Sequence, residues 1–155
     1  MSDRVRQMNI VYALEPIPAG PSVFLAGPTP RSEAVFSWRP RALQLLRGRG
    51  FDGSVFVPEP KGPWDWGRQV QWEAEALHAA TVILFWIPRD LVTMPAFTTN
   101  VEFGFWCRSG KVVLGAPGDA PKMRYLRHYA GRFEVPQADT LEDTVTVAIE
   151  LLGPA

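Results

Sequence analysis

Apolar residues in this chain come in short unbroken runs separated by longer amphipathic stretches. SVFLAGP (22–28), SVFVPEP (54–60), TVILFWIP (81–88) and KVVLGAP (111–117) are such runs, each closed by Gly or Pro. A short apolar run without alternation reads as a strand buried on both faces. The stretches between them have helical spacing. One helix is expected near Glu33 to Arg47, with Ser32 as cap, Arg47 to Gly50 as stop, and Pro40 kinking it or delaying its start. Others are expected over 68–80 and over 98–110, the latter stopped by Gly110. PKMRYLRHYAG predicts a short helix, RFEVPQ a weak strand, and LEDTVTVAIELLG a closing amphipathic helix. Residues 1–21 form an arm in which NIVYAL is a short strand and EPIPAGP a stiff connector, and residues 22–155 form one domain. No internal repeat is present.

Strand and helix alternate, which predicts an α/β fold with a parallel sheet covered on both faces. Such sheets bind ligands at the carboxyl ends of their strands. Those ends carry AGPTPR, PEPKGPWDWG, IPRDLVTMPAFTTN and GAPGDAP, so a site is expected among these segments.

Two glutamates break the apolar pattern. In RQVQWEAEALHAA an advance of about 100° per residue sets Trp72, Ala76 and Ala80 on one side, with Leu77 and Val70 near them. Glu73 falls in the middle of that face, whereas Glu75 and His78 point away from it. Glu73 is therefore expected to face the core or a cleft, or else to sit at the helix edge and bond a backbone N–H or Arg68. Glu102 also carries two readings. Thr99-x-x-Glu102 matches a capping box, in which Glu102 would reach back to the cap N–H. Alternatively, Glu102 and Glu73 reach one cleft from neighbouring helices, and two carboxylates in unequal settings divide nucleophile and acid roles.

Composition narrows the classes. Lys plus Arg and Asp plus Glu both total 16, a net charge of zero, which gives no support for nucleic acid or a membrane surface as partner. The single cysteine, Cys107, forbids an internal disulfide and is expected to pack as a small hydrophobe. With no signal-peptide core and no apolar run of membrane-spanning length, the expected compartment is the cytoplasm. GxGxxG, P-loop and GxSxG motifs are absent. His78 and His128 have no ligand spacing with Cys107, so neither a cofactor nor a metal is expected. Six tryptophans are many for this length; Trp64 and Trp66, in the GPWDWG loop, either stack on a ligand or pack the loop.

The order SVFLAGP, helix, VPEP, helix with an acid, TVILFWIP, then TTNVEFGFWCRSGKVVLGAP resembles the nucleoside 2-deoxyribosyltransferase family, over about residues 22 to 152. The best markers are Glu102-Phe103-Gly104 followed by Gly110-Lys111, and the opening Ala26-Gly27-Pro28. The resemblance implies a flavodoxin-like (Rossmann-like) three-layer sandwich with a central, mostly parallel five-stranded sheet. It implies cleavage or transfer at the N-glycosidic bond of a nucleoside or nucleoside monophosphate. Glu102 would attack the anomeric carbon, and a base or water would resolve the glycosyl-enzyme. Glu73 would handle the proton of the departing base. Gly27, Pro28, Thr29 and Arg31 match the first loop, which binds phosphate in hydrolytic relatives. Trp64 and Trp66 would stack on the base, Asp65 would bond its edge, and Thr98, Thr99 and Asn100 would orient Glu102 or bond sugar hydroxyls. A homo-oligomer is implied as well. The chain departs from many transferases in having no acid within Pro95 to Asn100, and Phe24 or Leu25 where some relatives have Tyr. Two other functions are carried: a nucleotide-binding or sensing module without turnover, and an NAD-type glycohydrolase.

Overall fold

The computed structural model describes residues 7–154; the first six residues of the expected arm lie outside the described residues. Six strands form one sheet: β1 (Asn9–Ala13), β2 (Ser22–Ala26), β3 (Ser54–Pro60), β4 (Val82–Trp86), β5 (Val112–Gly115) and β6 (Gln137–Ala138). Their spatial order is β1-β3-β2-β4-β5-β6, and every pairing is parallel. The five strands from β2 onward run 3-2-4-5-6, the flavodoxin-like order. The sixth strand is β1, which pairs with β3 at the edge and buries Val11 and Ala13.

Five helices cover the sheet: α1 (Arg39–Gly48), α2 (Trp66–Ala79), α3 (Phe97–Trp106), α4 (Arg124–Arg132) and α5 (Leu141–Leu152). Successive side chains of a strand point to opposite faces, so a strand between two helix layers must be apolar throughout. In β4, Ile83 and Phe85 pack with Trp72 and Ala76 of α2, Phe103 of α3 and Leu126 of α4. Its Val82, Leu84 and Trp86 pack on the other face with Ala42 and Leu46 of α1 and Val145 of α5. Two cores result, one on each side of the sheet. Cys107 lies buried in the first, as a small hydrophobe would.

Several boundaries move for local reasons. α1 starts at Arg39 rather than near Glu33, because Pro40 stands in its first turn, where a missing N–H costs nothing. Residues 27–38 are thereby left as a loop over the sheet's carboxyl edge. α2 starts earlier than expected, at Trp66, because Asp65 caps it: Oδ1 accepts the Arg68 N–H at 2.9 Å. The weak strand shrinks to Gln137–Ala138, as α4 continues through Arg132.

The Gly110-Lys111 pair acquires a physical reason. Gly110 takes φ +79°, a left-handed turn that favours glycine. The Lys111 ammonium then donates to the carbonyls of Leu77 (2.8 Å), His78 (3.0 Å) and Ala80 (2.8 Å), at the carboxyl end of α2. A cation is favoured there by the unpaired carbonyls and the helix dipole.

Candidate active site

Connections from β2 and β4 leave toward opposite sides of the sheet, which opens a crevice beyond their carboxyl ends. The crevice is a cavity of about 510 Å³. Gly27, Pro28, Thr29 and Arg31 line it from the loop after β2. Trp64, Trp66 and Glu73 come from the loop after β3 and from α2; Thr98, Thr99 and Glu102 come from α3. Ten of the twelve residues expected at a site thus share one cavity.

Asp65 and Asn100 stand outside that lining. Asp65 is committed to the α2 cap. Asn100 Oδ1 accepts from Arg89 Nη2 at 2.6 Å, while Arg89 Nη1 donates to the Pro95 carbonyl at 2.8 Å. Arg89 is buried and ties the strap before α3 to the helix itself.

The first loop is shaped by contact. At Gly27 a Cβ would run into the Trp86 carbonyl and lie 2.7 Å from the Trp38 ring. Trp38 in turn donates Nε1–H to the Pro28 carbonyl at 3.0 Å. The Ala-Gly-Pro marker is therefore a position where backbone passes backbone without room for a side chain.

Glu102 is no cap. α3 begins at Phe97, behind an Ala96 in the left-handed region (φ 62°), and has no side-chain cap. Thr99 is buried in its first turn and Glu102 lies beyond that turn. Counting from the helix start, the capping-box spacing is out of register. Glu102 instead turns into the cavity. Burial and the neighbouring Glu73 carboxylate push its proton affinity up to a pKa of about 8, against the pull of Arg39. Glu73 is also raised, first by burial, and held back by a Gln69 hydrogen bond and by Arg39. Gln69 Nε2 donates to Glu73 Oε1 at 3.0 Å and to the Pro58 carbonyl at 2.9 Å, which fixes the carboxylate against the end of β3. The alternative of a bond to a backbone N–H or to Arg68 is replaced by this one. Glu75 and His78 are exposed as expected. Val70, expected near the apolar face, is exposed at the cavity's edge instead.

Trp64 and Trp66 are 59% and 69% exposed, so neither packs the loop. Both stand at the cavity mouth with Phe97, which was not singled out from sequence.

The residue most clearly missed is Arg39, fully enclosed on the cavity floor. Its only sequence signal is its place before Pro40, at a helix start facing the end of β2. Gln69 was missed too, although its spacing of four from Glu73 was legible. Among the described residues, no group of three or more His, Cys, Asp or Glu side chains is placed to hold a metal ion. Among the described residues, no helix is long and apolar enough to cross a membrane.

A family model for nucleoside 2-deoxyribosyltransferase-like proteins matches residues 20–120. The chain belongs to this family. The match runs from β2 past β5 and contains every residue that lines the cavity. A comparison with curated proteins finds no match. Membership gives the chain nucleoside 2-deoxyribosyltransferase-like character in general, in a family whose members are usually enzymes acting on nucleosides. The cavity suits that character: two carboxylates stand beneath an aromatic mouth, beside a loop of Gly, Pro, Thr and Arg.

Proposed function

We propose that the protein cleaves or transfers at the N-glycosidic bond of a nucleoside or nucleoside monophosphate, with Glu102 as nucleophile and Glu73 as the group that delivers a proton to the departing base. The observation that carries this reading is the pair itself. Two carboxylates from adjacent helices face one cavity, and they differ in proton affinity.

Near neutral pH Glu102 holds a proton, because burial and the facing Glu73 carboxylate push its pKa up to about 8. Bond cleavage needs both a negative charge against the developing oxocarbenium sugar and a proton for the leaving nitrogen. One shared proton supplies both. As positive charge develops at the anomeric carbon, the Glu102 carboxylate is favoured. Its proton passes through Glu73 to the base. The C–N electron pair leaves with the base, and a Glu102 oxygen forms the new bond to the sugar. Water or a second base then displaces Glu102 from that carbon. Trp64 and Trp66 stack on the base, and the first loop with Arg31 holds a phosphate where the substrate carries one. Thr98 and Thr99 bond sugar hydroxyls or steady Glu102.

The exposed apolar stripe Phe97, Val101 and Phe105 along α3 supports a homo-oligomer. A single buried thiol and no disulfide fit the cytoplasm.

The test is to incubate the protein with nucleosides, monophosphates and NAD, with and without a second free base, and to follow released base by chromatography. Release abolished by Glu102→Gln is expected. Ligand-dependent thermal stabilisation without turnover would instead make the protein a binding module, and release of nicotinamide alone would make it an NAD glycohydrolase.

A further inference from the structure

Arg39 is 1% exposed and lies in the same cavity lining as Glu73 and Glu102. A guanidinium stripped of water persists only where its N–H groups find partners. Four bonds provide them. Nε donates to the Leu25 carbonyl at 3.1 Å and Nη2 to the Gly27 carbonyl at 2.7 Å. Nη1 donates to the Thr29 hydroxyl at 2.8 Å and to the Glu59 carboxylate at 3.1 Å. Glu59 is its one ion-pair partner among the described residues, and the same carboxylate oxygen accepts from Ser37 at 3.0 Å. The cation is thus held at the end of β2 by four bonds. Charges near a partly closed cavity act on one another more strongly than they do in bulk water.

We propose that Arg39 and Glu59 are positioning residues that set the charge of the Glu73–Glu102 pair, Arg39 as a fixed positive floor and Glu59 as the counter-charge that limits its pull. This rests on the reading of that pair as the working carboxylates. Of the other charges nearby, Lys61 lies over the Tyr12 ring beside Glu59, and Glu33 is exposed in the first loop near Glu59. Arg31 is exposed at the mouth, Arg89 is turned to Pro95 and Asn100, and Asp90 is exposed on the strap. On α2 and α3, Glu73 and Glu102 are the only charged side chains in the lining.

Opposite substitutions should then move the pair in opposite directions. Arg39→Gln removes the floor charge, so both carboxyls hold their protons to higher pH. Glu59→Gln leaves Arg39 unopposed, so both release them at lower pH. Arg39→Lys keeps the charge and should stay near wild type. The readout is a carbon-13 NMR titration of the glutamate carboxyl signals in the full-length protein, assigned with Glu73→Gln and Glu102→Gln. Shifts of at least about 0.5 pH unit, upward for Arg39→Gln and downward for Glu59→Gln, are expected. A purely structural role would blur or lose signals without opposite displacement. Should Arg39→Gln fail to fold, Glu59→Gln alone decides, since it leaves the backbone bonds of Arg39 in place. Unmoved titrations, or movement in one common direction, overturn the proposal. The alkaline limb of kcat/KM is measured on the same variants. If the NMR transitions move and that limb does not, the catalytic reading of the pair fails while the role of Arg39 and Glu59 stands.

Discussion

Glu102 holds its proton to about pH 8 because its carboxylate would be buried and would face Glu73. That shift fixes the sign of two predictions. If the active form carries one proton on the pair, kcat/KM is bell-shaped. It falls above about pH 8 as the last proton leaves, and falls in acid as Glu73 takes a second. Initial rates across pH check this, and a rate that keeps rising beyond pH 9 would sink the shared-proton scheme. The second prediction concerns stability. A carboxyl with a raised pKa binds its proton more tightly when folded, so the fold loses stability as pH rises from 4.5 to about 8. Glu102→Gln carries no charge into the cavity. Its melting temperature should therefore gain on wild type across that window, while its turnover is nearly abolished. Asp65 separates the same way. As a cap, Asp65→Ala costs about 0.5–2 kcal/mol in urea unfolding, Asp65→Asn costs little, and neither changes KM. A raised KM in Asp65→Asn would return Asp65 to the base-binding role expected from sequence.

At the scale of elements, α2 is set at both ends by single side chains. Asp65 starts it and Lys111, the residue just before β5, ends it. Between them α2 carries Gln69 and Glu73. Lys111→Met should lose about 1–3 kcal/mol by urea unfolding, since three charge-assisted bonds to helix carbonyls go with it. Hydrogen exchange should quicken first at residues 77–80, the last turn of α2. Equal quickening throughout the chain would show that Lys111 caps nothing locally. The four apolar strands were legible because burial on both faces leaves no room for polar alternation. Helix starts were less so. The start of α1 was decided by Pro40, but the start of α2 depended on which acid found the free N–H groups, and that of α3 on a left-handed Ala96 that no residue type announces.

For the whole molecule, α3 is the element with most left over. One face carries Phe103 into the core and turns Thr99 and Glu102 to the cavity, and another presents Phe97, Val101 and Phe105, the last 77% exposed. Repeats of four residues align such side chains along one side of a helix. Val101→Asp with Phe105→Asp should shift a self-associated protein toward monomer in sedimentation velocity, with the fold kept. A wild type that sediments as a monomer at high concentration removes the oligomer from the proposal. The residue pattern alone determined the layered parallel fold and the crevice at its carboxyl edge, because periodicity and strand burial are local properties of a chain; for Glu73 it left open a cleft-facing position or the helix edge. Tertiary structure decided what Glu102 is. A capping box and a cavity carboxylate look alike in TTNVE, and only the true start of α3 tells them apart. It also supplied Arg39, whose partners are two strand-end backbone carbonyls, a threonine and a glutamate twenty residues on. A buried charge is defined by what surrounds it, and that is set only when distant segments close over it.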